Sequence, residues 1–376
     1  MRILMISKAT VTRSYRTKLW YLNQAPNVTV GLVVPQKWDQ LPFEPMAEDA
    51  TYPLFIRPIW LNGRNHLHRY PGIRSIIRQF APDLIHIDEE HYSWVTAEVV
   101  GIANKMGVPT LFFTWQNIFK NYPWPFSRME QKVLRSARGA IAGNQEALEV
   151  LRKKGFVSPI EVIPQFGTDH RIFYPMDPAE VRLRLGLEGT TAIGYVGRMI
   201  ADKGLDDLLQ AMIPVLSQDS TVRLVLVGSG PWSEAGKQAA EAGGVGTQVI
   251  FVPWMASTEM PLLMNALDIL VLPSRTTPSW KEQFGRVLTE AMATKTAVVG
   301  SSSGEIPSVI GDAGMVFPEG DVARLSDILT TLSQDRDLRQ RYGELGFERV
   351  RGRFTQEAVA KATLTVYTKL LTNGRK

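Results

Sequence analysis

At 376 residues, with 44% hydrophobic and 21% charged residues, the chain is long enough for two cored domains and too apolar for disorder. It has no cysteine, which excludes disulfides and a thiol nucleophile, and no apolar run near the ~20 residues that a bilayer span needs. The net charge of +5 is uneven: residues 1–175 hold 21 Lys and Arg against 14 Asp and Glu, whereas residues 176–376 hold 21 against 23.

A basic first half points to an acidic partner, such as an anionic membrane surface or an anionic acceptor; no nucleic-acid module is recognisable. Residues 1–7 are too short for a signal-peptide core and read as a first buried strand, and the lack of cysteine fits a cytoplasmic protein. After it, Ser7-Lys8-Ala9-Thr10 leads through Arg13, Tyr15 and Arg16 without a glycine. Further strands are expected at 28–34, 84–87, 110–113, 140–142 and 160–163, with helical patterns between them. The stretch from Arg57 to Tyr70 is rich in cations, and Ile73-Arg74-Ser75-Ile76-Ile77-Arg78 mixes cations with apolar residues at helical spacing. Such a helix is either half-buried or laid on an anionic lipid surface, and the second reading makes the chain peripheral at the inner membrane face. His86-Ile87-Asp88-Glu89-Glu90-His91 has metal-ligand residue types at a spacing that matches no zinc pattern. Trp115, Tyr122, Trp124 and Phe126, interleaved with Pro123 and Pro125, suit either a core or a surface that stacks on sugar or lipid.

The Gly/Pro-containing stretch 165–178 reads as a domain linker. Beyond it, strands are expected at 193–196, 223–227, 249–252, 269–272, 297–300 and 315–317. Two series of βα units predict an α/β protein with two doubly wound parallel sheets, whose ligands sit beyond the carboxyl ends of the strands. The expected domains are 1–168 and 169–354, followed by a helix over 355–376 with Val359, Thr363, Val366, Tyr367 and Leu370 in one stripe.

Two loops of the second half carry chemistry. The run ending in Gly197-Arg198 is followed by Lys203-Gly204, placing two cations on one glycine turn before a helix. Lys281-Glu282-Gln283-Phe284-Gly285-Arg286-Val287-Leu288-Thr289-Glu290 places one carboxylate in a loop and a second about two turns into a helix. Phe284, Val287, Leu288, Ala291 and Met292 would form the apolar face, leaving the amides of Phe284, Gly285 and Arg286 as first-turn donors for an anion. Together the loops suit a diphosphate flanked by a sugar and a ribose.

These segments, with Leu226-Val227-Gly228-Ser229-Gly230, Phe251-Val252-Pro253-Trp254, Pro273-Ser274 and Gly304-Glu305-Ile306-Pro307, resemble the retaining glycosyltransferases of family 4, of the GT-B fold. The resemblance spans about residues 190–320. It implies two Rossmann-like domains facing across a cleft, acceptor-binding first and donor-binding second. The implied reaction moves a sugar from a nucleoside-diphosphate sugar to a glycan, lipid-linked or small-molecule acceptor with retained configuration. By the same resemblance Arg198 and Lys203, after Gly197, hold the diphosphate, and Glu282 contacts the transferred sugar. Glu290 takes the ribose, Val252, Pro253, Trp254 and Met255 lie at the base, and Phe284, Gly285, Arg286 and Val287 border the phosphates. No cofactor or metal is expected, since Arg198, Lys203 and the helix start meet the phosphate charge; Asp335-Arg336-Asp337 imitates a metal motif but reads as a helix start.

The first half departs from the family pattern. It lacks the glycine-rich first loop, and the usual His after an amino-domain strand is replaced in Thr114-Trp115-Gln116-Asn117. The acceptor side is therefore assigned to Tyr15, Glu90, His91, Gln116 and Asn117, with the role of that His falling to Gln116, Asn117 or His91. Rival readings are a GT-B epimerase or phosphorylase and a non-catalytic nucleotide-sugar binding protein. The complete set Arg198, Lys203, Glu282 and Glu290 favours an enzyme, and no pyridoxal lysine or extra phosphate site is evident.

Overall fold

The computed structural model describes residues 1–253, 255 and 258–372. The chain forms two compact units, Met1–Asp169 with Gln356–Lys376, and His170–Thr355.

Unit 1 holds β1 (Arg2–Ile6), α1 (Arg13–Asn23), β2 (Thr29–Pro35), a short antiparallel pair β3 (Lys37–Trp38) and β4 (Leu41–Pro42), β5 (Leu54–Arg57), α2 (Ile73–Phe80), β6 (Leu84–Ile87), α3 (Trp94–Met106), β7 (Thr110–Thr114), α4 (Phe126–Ser136), β8 (Gly139–Ala142), α5 (Gln145–Lys153) and β9 (Ile160–Val162). Seven strands form one parallel sheet in the order β5-β2-β1-β6-β7-β8-β9. Side chains alternate across it. Leu4 and Ile6 enter a core layer with Ile76, Ile77 and Val99, whereas Ile3 and Met5 enter the opposite layer with Leu19 and Leu22. Burial on both faces explains why these strands read as continuous apolar runs. Neither β5, an edge strand held between Pro53 and Pro58, nor the β3–β4 pair is among the strands expected from the sequence.

Unit 2 holds α6 (Ala179–Arg184), β10 (Thr191–Val196), α7 (Leu205–Gln218), β11 (Val222–Val227), α8 (Trp232–Ala242), β12 (Val249–Val252), α9 (Met260–Ala266), β13 (Ile269–Leu272), α10 (Arg286–Ala293), β14 (Ala297–Ser301), α11 (Ile306–Ile310), β15 (Met315–Phe317), α12 (Val322–Gln334) and α13 (Arg336–Arg353). Its parallel sheet runs β12-β11-β10-β13-β14-β15. Asp335 accepts from the Leu338 amide at 2.8 Å and caps α13, so the Asp335–Asp337 triplet is a helix start.

The chain returns to unit 1 for α14 (Gln356–Thr372), which packs on α1 and buries the stripe Val359, Thr363, Val366, Tyr367 and Leu370. The Gln356 amide donates to Thr168 O at 3.1 Å, its side chain to Ser14 O at 2.9 Å, and the Tyr367 hydroxyl lies 2.6 Å from His86 Nδ1. In each sheet the strand order reverses at its centre, at β1/β6 and at β10/β13, and such reversals open a crevice at the carboxyl end.

Candidate functional site

In unit 2 the loops after β10, β11, β13 and β14 converge at that crevice. Main chains meet there almost without side chains between them. Gly204 sits at φ +66°, and a Cβ on it would lie 1.9 Å from Pro273 O, so only glycine lets the cationic loop abut the strand end of β13. Gly304 does the same against Glu282: a Cβ would fall 2.0 Å from Glu282 O, which accepts the Glu305 amide at 3.1 Å. Two glycine contacts thus fix the backbones that carry Lys203 and Glu282.

Their side chains meet. Lys203 Nζ lies 2.6 Å from Glu282 Oε2 and 4.6 Å from the centre of the Trp280 ring, and Ser274 Oγ donates to the same carboxylate oxygen at 3.0 Å. Arg198 projects into solvent from the same loop, its carbonyl held by the Tyr195 hydroxyl at 2.7 Å. The pair Lys203–Glu282 is only 14% and 12% exposed, so its attraction is less screened than a surface ion pair. Ser274 and Trp280 had no assigned role in the sequence reading. Their signal is positional: Ser274 follows the strand end, and Trp280 precedes Glu282 by two residues.

The helix after Glu282 starts later than its periodicity suggested. α10 begins at Arg286, capped by Gly285 at φ +75°, so Phe284 precedes it. The Phe284 ring packs 5.6 Å from Phe354 in the unit 2 core instead of lying on the helix face. First-turn amides therefore begin at Arg286 and Val287, and the Leu288 amide is already bonded to Gly285 O at 2.8 Å. Glu290 stands one turn along, 3.1 Å from Arg286 Nε; burial pushes its carboxyl above the ordinary range and Arg286 partly offsets this. Val252 O accepts the Gly228 amide at 3.0 Å, Pro253 is exposed, and Met255 is buried in the core; Trp254 lies outside the described residues.

The acceptor-side residues of unit 1 are only partly brought together. Glu90 ties β6 to β7 by accepting from Thr114 Oγ1 at 2.6 Å and the Trp115 amide at 2.9 Å. Gln116 follows directly. It is 7% exposed, and neither polar atom of its amide has a hydrogen-bond partner among the described residues. Asn117 is directed to Glu146 at 3.3 Å, and Tyr15 stacks on Phe166 at 4.1 Å. His91 is fully enclosed, with Nε2 3.0 Å from Glu130, which also pairs with Lys154 at 2.8 Å. His91 is thus drawn into a buried cluster with Glu130 and Lys154; of the three candidates for the missing histidine's role, Gln116 keeps both amide atoms, and His91 its Nδ1, without a hydrogen-bond partner among the described residues.

The crevice of unit 1 itself is filled. Ser7 Oγ donates to Asp88 at 2.7 Å, Lys8 pairs with Glu89, and His68 Nε2 lies 3.4 Å from Glu89. Burial opposes ionisation of Glu89, but Lys8 and His68 outweigh it and hold the carboxyl down at about 2. Lys18, buried beside Asp88, is lowered to about 8 by burial. His86 is likewise buried, which pushes it well below its ordinary value, and its Nδ1 meets the Tyr367 hydroxyl. Among the described residues no group of three His, Asp or Glu is arranged to hold a metal ion.

The basic helix over 73–78 is α2, with Ile73, Ile76, Ile77 and Phe80 all in the core. Its apolar side is therefore unavailable to lipid, and Arg69 is held by Glu98 at 2.6 and 2.9 Å. The aromatic group also divides: Trp115 packs on Phe113, Tyr122 on Tyr92, Phe126 on His66, and Trp124 is 78% exposed. Among the described residues no helix is long and apolar enough to cross a membrane.

Known proteins resemble both units. The profile of Glycosyl transferases group 1 matches residues 181–349, and that of Glycosyltransferase Family 4 matches residues 22–166. A D-inositol 3-phosphate glycosyltransferase from a Nocardioides species is 30% identical over 329 residues, covering 78% of this chain and 70% of that protein. A lipopolysaccharide core biosynthesis mannosyltransferase, LpcC, from Rhizobium leguminosarum bv. viciae is 29% identical over 232 residues, covering 60% and 64%. The crystal structure of Anabaena HepE in complex with UDP superposes with a TM-score of 0.73 at 18% identity, covering 98% and 100%; at that identity it speaks to the fold.

Proposed function

Because the chain belongs to family 4 of the group 1 glycosyl transferases, and so is a retaining, nucleotide-sugar-dependent glycosyltransferase of the GT-B fold, we propose that its donor diphosphate sits on Arg198 and Lys203 at the β10/β13 crevice. The observation that carries this assignment is the Lys203–Glu282–Ser274 contact, held by two close backbone approaches. Glu282 Oε2 stands where an anionic oxygen is welcome, and a phosphate oxygen has the same charge and hydrogen-bonding character. When the donor binds, Lys203 exchanges this carboxylate for phosphate, and Glu282, still steadied by Ser274, turns its oxygens to hydroxyls of the transferred sugar. Negative charge that develops on the departing diphosphate then meets Lys203 and Arg198 already in place, which is the electrostatic part of catalysis. The acceptor hydroxyl attacks from the leaving-group side, and the departing phosphate takes its proton.

Glu290 receives the ribose hydroxyls and the segment 252–255 borders the base. On the acceptor side, the unused amide of Gln116 supplies the polar contact that the family's histidine otherwise makes. The acceptor is a glycan or a lipid-linked sugar, and the enzyme is cytoplasmic, meeting an anionic membrane face through the basic unit 1. UDP is the first nucleotide to test, since it is the one held by HepE.

A thermal-shift panel of UDP, GDP and their sugars tests the donor site. Ligand at about 100 times its dissociation constant adds roughly 2.7 kcal/mol to native stability. One nucleotide series is expected to raise the melting temperature of the wild type and to fail with Lys203→Ala and Arg198→Ala. An equal shift in both variants would place the diphosphate elsewhere.

A further inference from the structure

Unit 1 carries a surface that the donor chemistry does not use. Counting residues 356–376 with it, this unit holds 24 Lys and Arg against 15 Asp and Glu, against 18 and 22 for unit 2. Part of that excess gathers in one place. A groove of ≈ 560 Å³ opens between α3 and α4, and a second of ≈ 470 Å³ continues it past α2; Arg74 and Lys105 line both. Arg128 and Lys132 complete the cationic walls. Among the described residues Glu98 is the one carboxylate lining either groove, and Arg69 already occupies both of its oxygens. Lys132 crosses α3 where Gly101 leaves room, donating one N–H to Ala97 O at 3.0 Å. Arg74, Lys105 and Arg128 have no carboxylate partner among the described residues.

A tryptophan stands at each end. Trp124 borders the first groove and is 78% exposed; Trp60 borders the second and is 59% exposed. Rings of this kind are favoured where one edge is apolar and the other wet, and the Arg69 guanidinium already lies 5.8 Å from the centre of the Trp60 ring. A soluble polyanion would neutralise the four cations and leave both indoles wet. An anionic bilayer satisfies both: phosphodiester headgroups take the cations, and the indoles settle at the headgroup level, where tryptophan is favoured. We propose that this groove, flanked by Trp60 and Trp124, docks unit 1 on an anionic phospholipid bilayer. Docking of this kind presupposes the peripheral position proposed above and gives it a surface. It is not the surface the sequence suggested: the α2 apolar side is in the core, Arg69 is paired, and the anchors come from two loops.

The experiment is flotation of the full chain with phosphatidylcholine vesicles containing about 30 mol% phosphatidylglycerol, at about 50 and about 300 mM salt. The wild type is expected to float at low salt and much less at high salt, with a blue shift of tryptophan emission. Two charge reversals, Lys105→Glu with Arg128→Glu, lower the partition coefficient roughly thirtyfold or more and flatten the salt dependence. Trp60→Ala with Trp124→Ala lowers it about tenfold, leaves the salt dependence unchanged and removes the blue shift. Both double variants should keep the wild-type melting temperature and the nucleotide-induced shift, which separates loss of docking from loss of fold or donor site. Absence of flotation at low salt would overturn the peripheral position itself. Flotation that ignores Lys105 and Arg128 would overturn this surface and leave the position standing. Tight binding of soluble hexagalacturonate, lost in the charge variant while vesicles are ignored, would reassign the groove to acidic glycans.

Discussion

The two sheets reverse strand order at the same topological point, and the two crevices are built from opposite materials. In unit 2 the loops after β10, β13 and β14 meet backbone to backbone, through Gly204 against Pro273 and Gly304 against Glu282, with Lys203, Glu282 and Arg198 at the rim. In unit 1 the loops after β1 and β6 meet side chain to side chain, through Ser7–Asp88 and Lys8–Glu89, and the space is closed by buried charge. An enzyme that must bring a bulky diphosphate close to main-chain amides needs the first construction. The second yields a rigid wall, beyond which Gln116 keeps an amide with no hydrogen-bond partner among the described residues.

Changes at the two crevices should therefore fail differently. The largest effect is expected in unit 2. Arg198→Ala and Lys203→Ala each lower kcat about a hundredfold, roughly 3 kcal/mol of lost leaving-group stabilisation, with an unchanged melting temperature. Near-wild-type turnover in both would show that the open crevice is not where the charge develops. Next is Gly204→Ala, which forces a Cβ into Pro273 O at positive φ. A stability loss of about 2–3 kcal/mol in urea titration is expected, accompanied by loss of turnover, because the same contact places Lys203.

In unit 1 the corresponding change should register as pH-dependent stability and spare donor binding. Glu89 is lowered from an ordinary 4.5 to about 2, so its stabilisation is fully present above pH 4.5 and is lost as pH falls toward 2. Glu89→Gln removes about 2 kcal/mol at pH 6, and the difference from wild type narrows between pH 4.5 and 2. A constant difference across that range would mean that Glu89 acts by shape alone. The smallest effect is Glu290→Ala, expected to weaken nucleotide affinity about tenfold, roughly 1.4 kcal/mol, with kcat little changed. Since burial raises the Glu290 carboxyl, wild-type nucleotide affinity should begin to fall at a higher pH than an ordinary glutamate would give. A loss of kcat at constant affinity would move Glu290 from the ribose to the reacting sugar.

The same contrast explains what could be read beforehand. Strands buried on both faces announce themselves as apolar runs, and the unit 2 crevice depends on glycines and charges at short, fixed spacings, so Lys203, Glu282 and their loops were visible. The start of α10 was misplaced because Phe284 fits the helical period, although Gly285, which ends that possibility at φ +75°, was in plain view. The unit 1 wall was invisible for a different reason. Ser7 and Asp88 are 81 residues apart, as are Lys8 and Glu89, and His86 meets Tyr367 across 281; no local pattern encodes such partners. β5 was missed because four residues between prolines leave too short a run to show alternation.

The path of the chain through the two units sets an order of assembly during synthesis. Unit 1 is interrupted after Asp169 and resumes at Gln356, whose amide closes on Thr168 O. At roughly 5–20 residues per second, the ribosome needs about 10–40 s to make the intervening stretch. Throughout that interval the nascent first unit presents the bare flank of α1 and the side of His86 that Val359, Tyr367 and Leu370 will cover. Unit 2, being continuous, is whole before unit 1 can close. A chain released after unit 2 but before Gln356 would thus carry a finished second unit joined to a first unit with an uncovered oily trough, a natural target for chaperones and proteases.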